Sequence, residues 1–311
     1  MRAFVFPGQG AQTIGMGRAL AEAYPQAREV FEEVDEALGE KLSALIWEGT
    51  QDDLTLTRNA QPALMATSMA AMAALGAEGV TVAAAGFVAG HSLGEYSALC
   101  AAGAISLADT ARLLRIRGEA MQAAVPVGEG AMAAILGLDF DAVTQIARDA
   151  AEGEVVQAAN DNDPSQVVIS GQVAAVERAV ALAATRGAKR AVMLPVSAPF
   201  HCALMEPAAR VMADALSRVA IDAPLVPLVA NVRAHAETDP ADIRSLLVEQ
   251  VTGAVRWRES VAWMAAQGVT EIWEIGAGKA LSGMIRRIDR TVATRQLGTP
   301  EEVTAAVESM S

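Results

Sequence analysis

Ala83-Ala-Ala-Gly-Phe-Val-Ala-Gly-His-Ser-Leu-Gly-Glu-Tyr96 is an apolar run that meets a glycine-bracketed turn and continues as a helix. Ala83–Ala89 reads as a buried strand, and Glu95 to Ala102 begins a helix. A strand apolar on both faces needs cover on both faces, which argues for a mostly parallel sheet between helical layers. The turn itself, Gly90-His91-Ser92-Leu93-Gly94, matches G-x-S-x-G in the strand-to-helix setting that makes the pattern informative. In such a turn the serine hydroxyl projects away from the backbone, while the helix N-terminus and the Leu93 N–H face any oxyanion that develops there.

The flanking sequence extends the same alternation. Phe4-Val-Phe6 is a short strand entering Pro7-Gly8-Gln9-Gly10, and helical patterns follow around 17–38 with an interruption at Pro25. Pro62 suits a first helical turn, so Ala63 to Leu75 is expected as a buried helix. Residues 63–90 carry only one charge, Glu78, but glycines at 76, 79 and 86 break them into a helix and a strand rather than a membrane span. Ser106 to Ala124 is a further helix.

The middle of the chain changes character. Ala131–Leu136, Val155–Ala159, Gln166–Ser170 and Arg190–Val196 read as strands, and Asp139–Ala151 and Val173–Thr185 as helices. That order, βαββαβ, is the ferredoxin-like arrangement. Residues 128–197 are therefore expected as a small domain inserted into a larger α/β domain formed by 1–127 and 198–311. In the larger domain a helix runs from about Cys202 to Val219 and a strand covers Pro227–Ala230. Helices at Ala241–Val251 and Glu259–Gln267 follow, and a strand at Glu271–Ile275 completes it.

Composition narrows the function classes. Lys plus Arg is 24 and Asp plus Glu 37, so 24 − 37 gives a net charge of −13, and such a surface repels nucleic-acid phosphates. Two cysteines, Cys100 and Cys202, cannot build a disulfide framework or a four-ligand zinc site, and three histidines leave few metal ligands. No metal is expected. Pro7 and Gly8 interrupt the N-terminus too early for a signal-peptide core, so a soluble cytoplasmic protein without membrane attachment is the expectation.

A serine nucleophile needs a base. His91 adjoins Ser92, where neighbouring side chains diverge, and His235 lies in a polar segment that reads as an exposed loop. His201 follows Ala198-Pro-Phe200, where the chain returns from the insertion, and is the best base. Cys202 cannot face the same way as its neighbour His201, and both Cys100 and Cys202 read as small buried thiols. Gly8-Gln9-Gly10 fails the dinucleotide pattern because Thr13 occupies its last position, and a glycine-bracketed N–H there suits an oxyanion donor. Gly276-Ala-Gly278-Lys279 fails as a phosphate loop. Arg117 lies three and four residues from Leu114 and Leu113, on the apolar face of its helix. A buried guanidinium must be paired, either by an internal carboxylate, Glu95 being one candidate, or by a ligand carboxylate held in its fork.

Taken together, Pro7–Gln12, Gly90–Tyr96, Arg117–Gln122, Gln166–Gly171 and the His201 segment resemble the malonyl-CoA:acyl carrier protein transacylases, in order and spacing along essentially the whole chain. The resemblance implies an α/β-hydrolase-like large domain with an inserted ferredoxin-like small domain. It implies acylation of Ser92, with His201 as base and then acid, and an oxyanion hole from the N–H groups of Gln9 and Leu93. Arg117 would hold the free malonyl carboxylate, the Gln250 main-chain carbonyl would orient the histidine, and Asn160 and Asn162 would line the cleft. Phe200, before the histidine, would fill the space an α-methyl group needs. The implied partners are malonyl-CoA, as substrate, and the acyl carrier protein of fatty acid biosynthesis, with no cofactor. Because such carriers are acidic, Lys189-Arg190 and Arg286-Arg287 with Arg290 are expected to flank the cleft mouth as a docking patch. A serine hydrolase, passing the acyl group to water, is the competing reading of the same elbow and base. A non-catalytic thioester-binding module is a weaker rival.

Overall fold

The computed structural model describes residues 1–196 and 198–310. In chain order its strands are β1 (Arg2–Phe6), β2 (Phe87–Gly90), β3 (Gly130–Leu136), β4 (Val156–Asp163), β5 (Gln166–Gln172), β6 (Arg190–Met193), β7 (Leu228–Val229), β8 (Ala236–Glu237), β9 (Glu271–Ile275) and β10 (Ala293–Leu297). Six form a sheet in the order β10-β9-β1-β2-β7-β8, parallel throughout except for β8 at one edge. Its central strands are apolar on both faces. Phe4, Phe6 and Val88 enter the main core with the helices Thr57–Ala77 and Leu107–Ala123, while Ala3, Val5 and Ala89 pack with the helices Trp257–Ala266 and Ala280–Ile288. The expected mixed α/β fold with a mostly parallel sheet is therefore what the chain forms.

The other four strands make an antiparallel sheet in the order β4-β5-β3-β6, crossed by the helices Phe140–Ala150 and Val173–Thr185. Period-two alternation divides β3 between two faces. Ala131, Ala133 and Ile135 pack on those helices, whereas Met132 and Ala134 face a second apolar cluster with Val168, Leu194 and Phe200. The expected boundary at Ser197 lies outside the described residues. The last turn of β4 is irregular, with register shifts at Ala158/Asn160 and Asp161/Asp163. Beside these shifts the strand meets the segment before the helix Trp257–Ala266, where Asp161 N donates to Val255 O and Val255 N to Ala159 O.

Several expected elements differ in detail. The helix expected from Ala63 begins at Thr57, so Pro62 lies inside it and deprives the Arg58 carbonyl of its usual donor. Gly118 presses its backbone there: a Cβ would come within 2.6 Å of Arg58 Cα, so only glycine permits this helix contact. The strand expected over Ala83–Ala89 is confined to β2, because Val82–Ala84 closes into a 3₁₀ turn, consistent with the poor strand propensity of alanine. The helix expected from Cys202 starts as a 3₁₀ turn at Ala203–Met205. Further elements follow Glu271–Ile275, the strand expected to come last. The helix Ala280–Ile288, β10 and the helix Pro300–Glu308 follow, and β10 (Ala-Thr-Arg-Gln-Leu) is a polar edge strand without an apolar run to announce it. Among the described residues no helix is long and apolar enough to cross a membrane.

Candidate active site

Parallel strands bring their carboxyl ends to one side of a sheet, and the site lies there. Pairing of Phe6 with Gly90 and of Ala89 with Val229 places the loops after β1, β2 and β7 side by side. They carry Gln9, Ser92 and Asn231. The small sheet roofs this edge, enclosing a cavity of about 440 Å³ lined by Gln9, Ser92, Arg117 and His201 below and by Asn160, Asn162 and Leu194 above.

Ser92 has φ of 54° and His201 φ of 59°, left-handed conformations that non-glycine residues seldom adopt. The Ser92 turn is sterically closed: a Cβ on Gly90 would lie 1.9 Å from the Gly94 carbonyl carbon. Ser92 Oγ stands 2.8 Å from His201 Nε2, and His201 Nδ1 stands 2.9 Å from the Gln250 main-chain oxygen. A carbonyl can only accept, so Nδ1 carries the proton and Nε2 is free to accept from the serine hydroxyl. Burial, reinforced by the Arg117 charge, pulls the His201 imidazole down to about 3, leaving it neutral near pH 7.

Arg117 is 1% exposed. Its Nη1 donates to Gln61 Oε1 at 2.8 Å, and Nη2 donates to Gln250 Oε1 at 2.8 Å and to Ser92 Oγ at 3.2 Å. Its partners are neutral oxygens. Glu95, the candidate internal carboxylate, is not in direct contact, because the Gln250 amide stands between: Gln250 Nε2 donates to Glu95 Oε2 at 2.7 Å. Burial pushes the Glu95 carboxyl up to about 7, against opposing hydrogen bonds from Gln250 and Asn231 and the Arg117 charge. The cation therefore faces the cavity without a firmly ionised counter-charge.

The remaining expected residues divide. Among the described residues neither the Gln9 nor the Leu93 N–H has a backbone acceptor, and both residues line the cavity beside Ser92. The Gln9 side chain is tied down by Thr57 Oγ1, itself reached by Gln61 Nε2, so the loop after β1 and the Arg117 partner share one network. Asn160 and Asn162 are buried in the roof, and Asn162 Oδ1 lies 2.9 Å from His91 Nε2, which occupies that histidine away from Ser92. Half-buried Phe200 contributes to the wall, and His235 is exposed.

The two basic clusters do not converge. Arg287 is one turn from Met284, which lines the cavity, and pairs with Asp163 at 2.7 Å. Arg286 turns away to Thr294 on β10. Lys189 and Arg190 are exposed beside Leu136, at the end of β3 and β6 remote from the cavity-lining Met132 and Leu194. At about 3.3 Å per strand residue that places them roughly 13 Å back from the cleft. Among the described residues no three His, Cys, Asp or Glu side chains are grouped to hold a metal ion.

Sequence reasoning missed Gln61, Asn231 and the side chain of Gln250. Asn231 had a signal, since it lies two residues past an apolar strand whose neighbours at the same sheet edge carry Gln9 and Ser92. Gln61 and the Gln250 amide had none, as each is one polar residue in a buried helix face.

The sequence profile of a family described as acyl transferase domain matches residues 3–302. The chain is 49% identical over 309 residues, 99% of its own length and 96% of the other's, to a malonyl CoA-acyl carrier protein transacylase of Bacillus subtilis. It is 48% identical to that of Escherichia coli over 306 residues, 98% of each chain. A crystal structure of acyl-carrier-protein-S-malonyltransferase from Bartonella henselae is similar with a TM-score of 0.97 and 59% identity, covering 99% of both chains.

Proposed function

The chain belongs to the acyl transferase domain family, and we propose that it moves a malonyl group from coenzyme A to acyl carrier protein through an ester on Ser92. It is an acyltransferase, and malonyl-CoA and acyl carrier protein are its partners, as in fatty acid biosynthesis. The observation that carries the serine step is the chain Gln250 O, His201, Ser92 Oγ, with Arg117 over the same hydroxyl.

In this reading Ser92 Oγ gives its proton to His201 Nε2 and attacks the thioester carbonyl. The Gln9 and Leu93 N–H groups take the developing oxyanion. His201 returns the proton to the departing coenzyme A thiolate. The carrier's phosphopantetheine thiol then enters the cleft, loses its proton to His201 and takes the malonyl group, regenerating the serine. Arg117 holds the free carboxylate and so pins the acyl group in one pose. Asn160 and Asn162 line the path from above, and Phe200 fills the space beside the α-carbon. A missing methyl-sized space discriminates against branched acyl groups by about 1–3 kcal/mol. No cofactor enters this scheme.

The large sheet, with its serine elbow at the end of β2, supports an α/β-hydrolase-like assignment. For the 128–197 insertion, the βαββαβ order and sheet order β4-β5-β3-β6 support a ferredoxin-like one. Of the docking residues, Arg287 is best placed to meet an acidic carrier, with Arg286, Lys189 and Arg190 farther out. Two free cysteines fit a reducing compartment, the cytoplasm.

The test is intact-mass measurement after mixing with malonyl-CoA. A malonyl adduct is expected on the parent chain, lost in Ser92→Ala and discharged by carrier protein. An adduct that persists in Ser92→Ala, or that goes to water faster than to carrier, would overturn the assignment.

A further inference from the structure

The Ser92 elbow is held by a residue outside the acyl-transfer chain described above. Asn231, two residues beyond β7 and 1% exposed, reaches across to β2. Its Oδ1 accepts from Ser92 N at 2.8 Å and its Nδ2 donates to Gly90 O at 2.6 Å. One amide thus bridges both sides of His91 and closes the turn. Asn231 is itself anchored, since its N–H donates to Glu95 Oε2 at 3.2 Å and its carbonyl accepts from Arg256 N at 3.0 Å. The Ser92 carbonyl is held separately by Gln250 Nε2 at 2.9 Å.

Ser92 occupies the left-handed region at φ 54°, which persists only where the surroundings over-determine it. A relaxed elbow would swing Oγ off the line to His201 Nε2 and off the gap between the Gln9 and Leu93 N–H groups. The demands at position 231 are specific: an acceptor and a donor on one short planar group. Asparagine supplies both, aspartate only the acceptor and alanine neither.

We propose that Asn231 is a positioning residue for acylation, its side-chain amide holding the nucleophile elbow in the conformation that aims Ser92 at His201. This rests on the acyl-transfer reading. If the parent chain forms no ester on Ser92, that reading fails, and the comparison below applies only once the parent ester is seen.

The experiment measures the single-turnover rate of ester formation by quenched intact mass in Asn231→Ala and Asn231→Asp. Malonyl-CoA affinity is measured by calorimetry in Ser92→Ala with and without Asn231→Ala. Ester formation is expected to fall about 100-fold in Asn231→Ala, with affinity changed by less than about threefold. Aspartate adds a readout that a merely structural role would not move. A buried carboxyl holds its proton to higher pH, and the protonated form restores a donor toward Gly90 O. Asn231→Asp should therefore gain rate relative to the parent as pH is lowered from about 8 to about 6. The parent profile carries the contributions of the groups around this position: Glu95 beneath it, His91 and His201 across the elbow, Arg117 beyond Gln250, and Arg256 alongside. Rates within about threefold of the parent in both variants overturn the proposal. So does an equal loss of affinity, an Asn231→Asp profile parallel to the parent's, or failure of both variants to fold, each of which makes Asn231 a general support.

Discussion

Replacing Arg117 with alanine separates a ligand-binding cation from a structural one. The guanidinium is 1% exposed and donates to the neutral oxygens of Gln61, Gln250 and Ser92, with no ion pair among the described residues, so a malonyl carboxylate would be its first full counter-charge. Truncating one partner of a buried, hydrogen-bonded charge pair costs about 2–5 kcal/mol. At about 1.4 kcal/mol per factor of ten, kcat/KM for malonyl-CoA should drop by about 30- to 4,000-fold. Acetyl-CoA offers no carboxylate, so its turnover should hold or rise and the malonyl-to-acetyl ratio should fall by a similar factor. Competition between the two thioesters for carrier protein, read as the ratio of acylated carriers by mass spectrometry, measures that ratio directly and cancels any loss of active enzyme. The variant should stay folded, because the two orphaned amide oxygens, at about 1–3 kcal/mol each, are offset by removal of a buried cation. Arg117→Lys keeps the charge without the fork and should fall between the two. If malonyl and acetyl turnover decline in parallel, Arg117 is a structural residue and the carboxylate clamp is refuted.

Four further outcomes follow from the same geometry. Because the folded His201 sits near 3, below its ordinary 6.5, acylation should show no acidic limb near pH 6.5 in single-turnover rates, and a limb there would contradict a neutral buried base. The same depression means that the unfolded chain binds a proton the folded chain refuses, so His201 withdraws stability as pH falls from 6.5 toward 3, an effect His201→Gln should remove from urea midpoints. Gly90→Ala forces a Cβ to 1.9 Å from the Gly94 carbonyl carbon and should cost about 3 kcal/mol or more in urea unfolding; an unchanged midpoint would mean the elbow is not tight. Asp161 is 1% exposed in its side chain and takes Arg258 Nε on both oxygens, at 3.0 and 2.9 Å, between the two sheets. Asp161→Asn should cost about 1.5–3 kcal/mol and raise the KM for malonyl-CoA by loosening Asn160 and Asn162; a lowered melting point with unchanged KM would separate that clamp from the cleft.

Local signals in the chain carried far. The strand, glycine turn and helix around Ser92 announced both the parallel sheet and the tight turn that carries Ser92, because such a turn needs small residues and a buried strand needs an unbroken apolar run. The alternation of strands and helices between 131 and 196 likewise stated the order of the elements of the antiparallel sheet, and the short supply of histidines singled out His201, which the fold sets 2.8 Å from Ser92 Oγ. The apolar helix face of Arg117 foretold its burial. Polar edges were less readable: β8 and β10 lack the apolar run that marks a strand, since an edge needs only one bonded neighbour and tolerates charge.

What remained for the tertiary structure to decide was which partners meet. Glu95 looked like a counter-charge for Arg117, but the Gln250 amide stands between them, a relation across 155 residues that no spacing encodes. The two basic clusters look alike as sequence, yet one lies a helical turn from the cavity and the other at the far end of a strand. Asn231 and Gln61 are ordinary polar residues until strand register and helix crossing set them against Ser92 and Arg117. Periodicity and turn chemistry act between near neighbours, and so the chain states its own elements and its serine turn. Burial, charge pairing and hydrogen-bond direction act through space, and only the assembled sheets determine them.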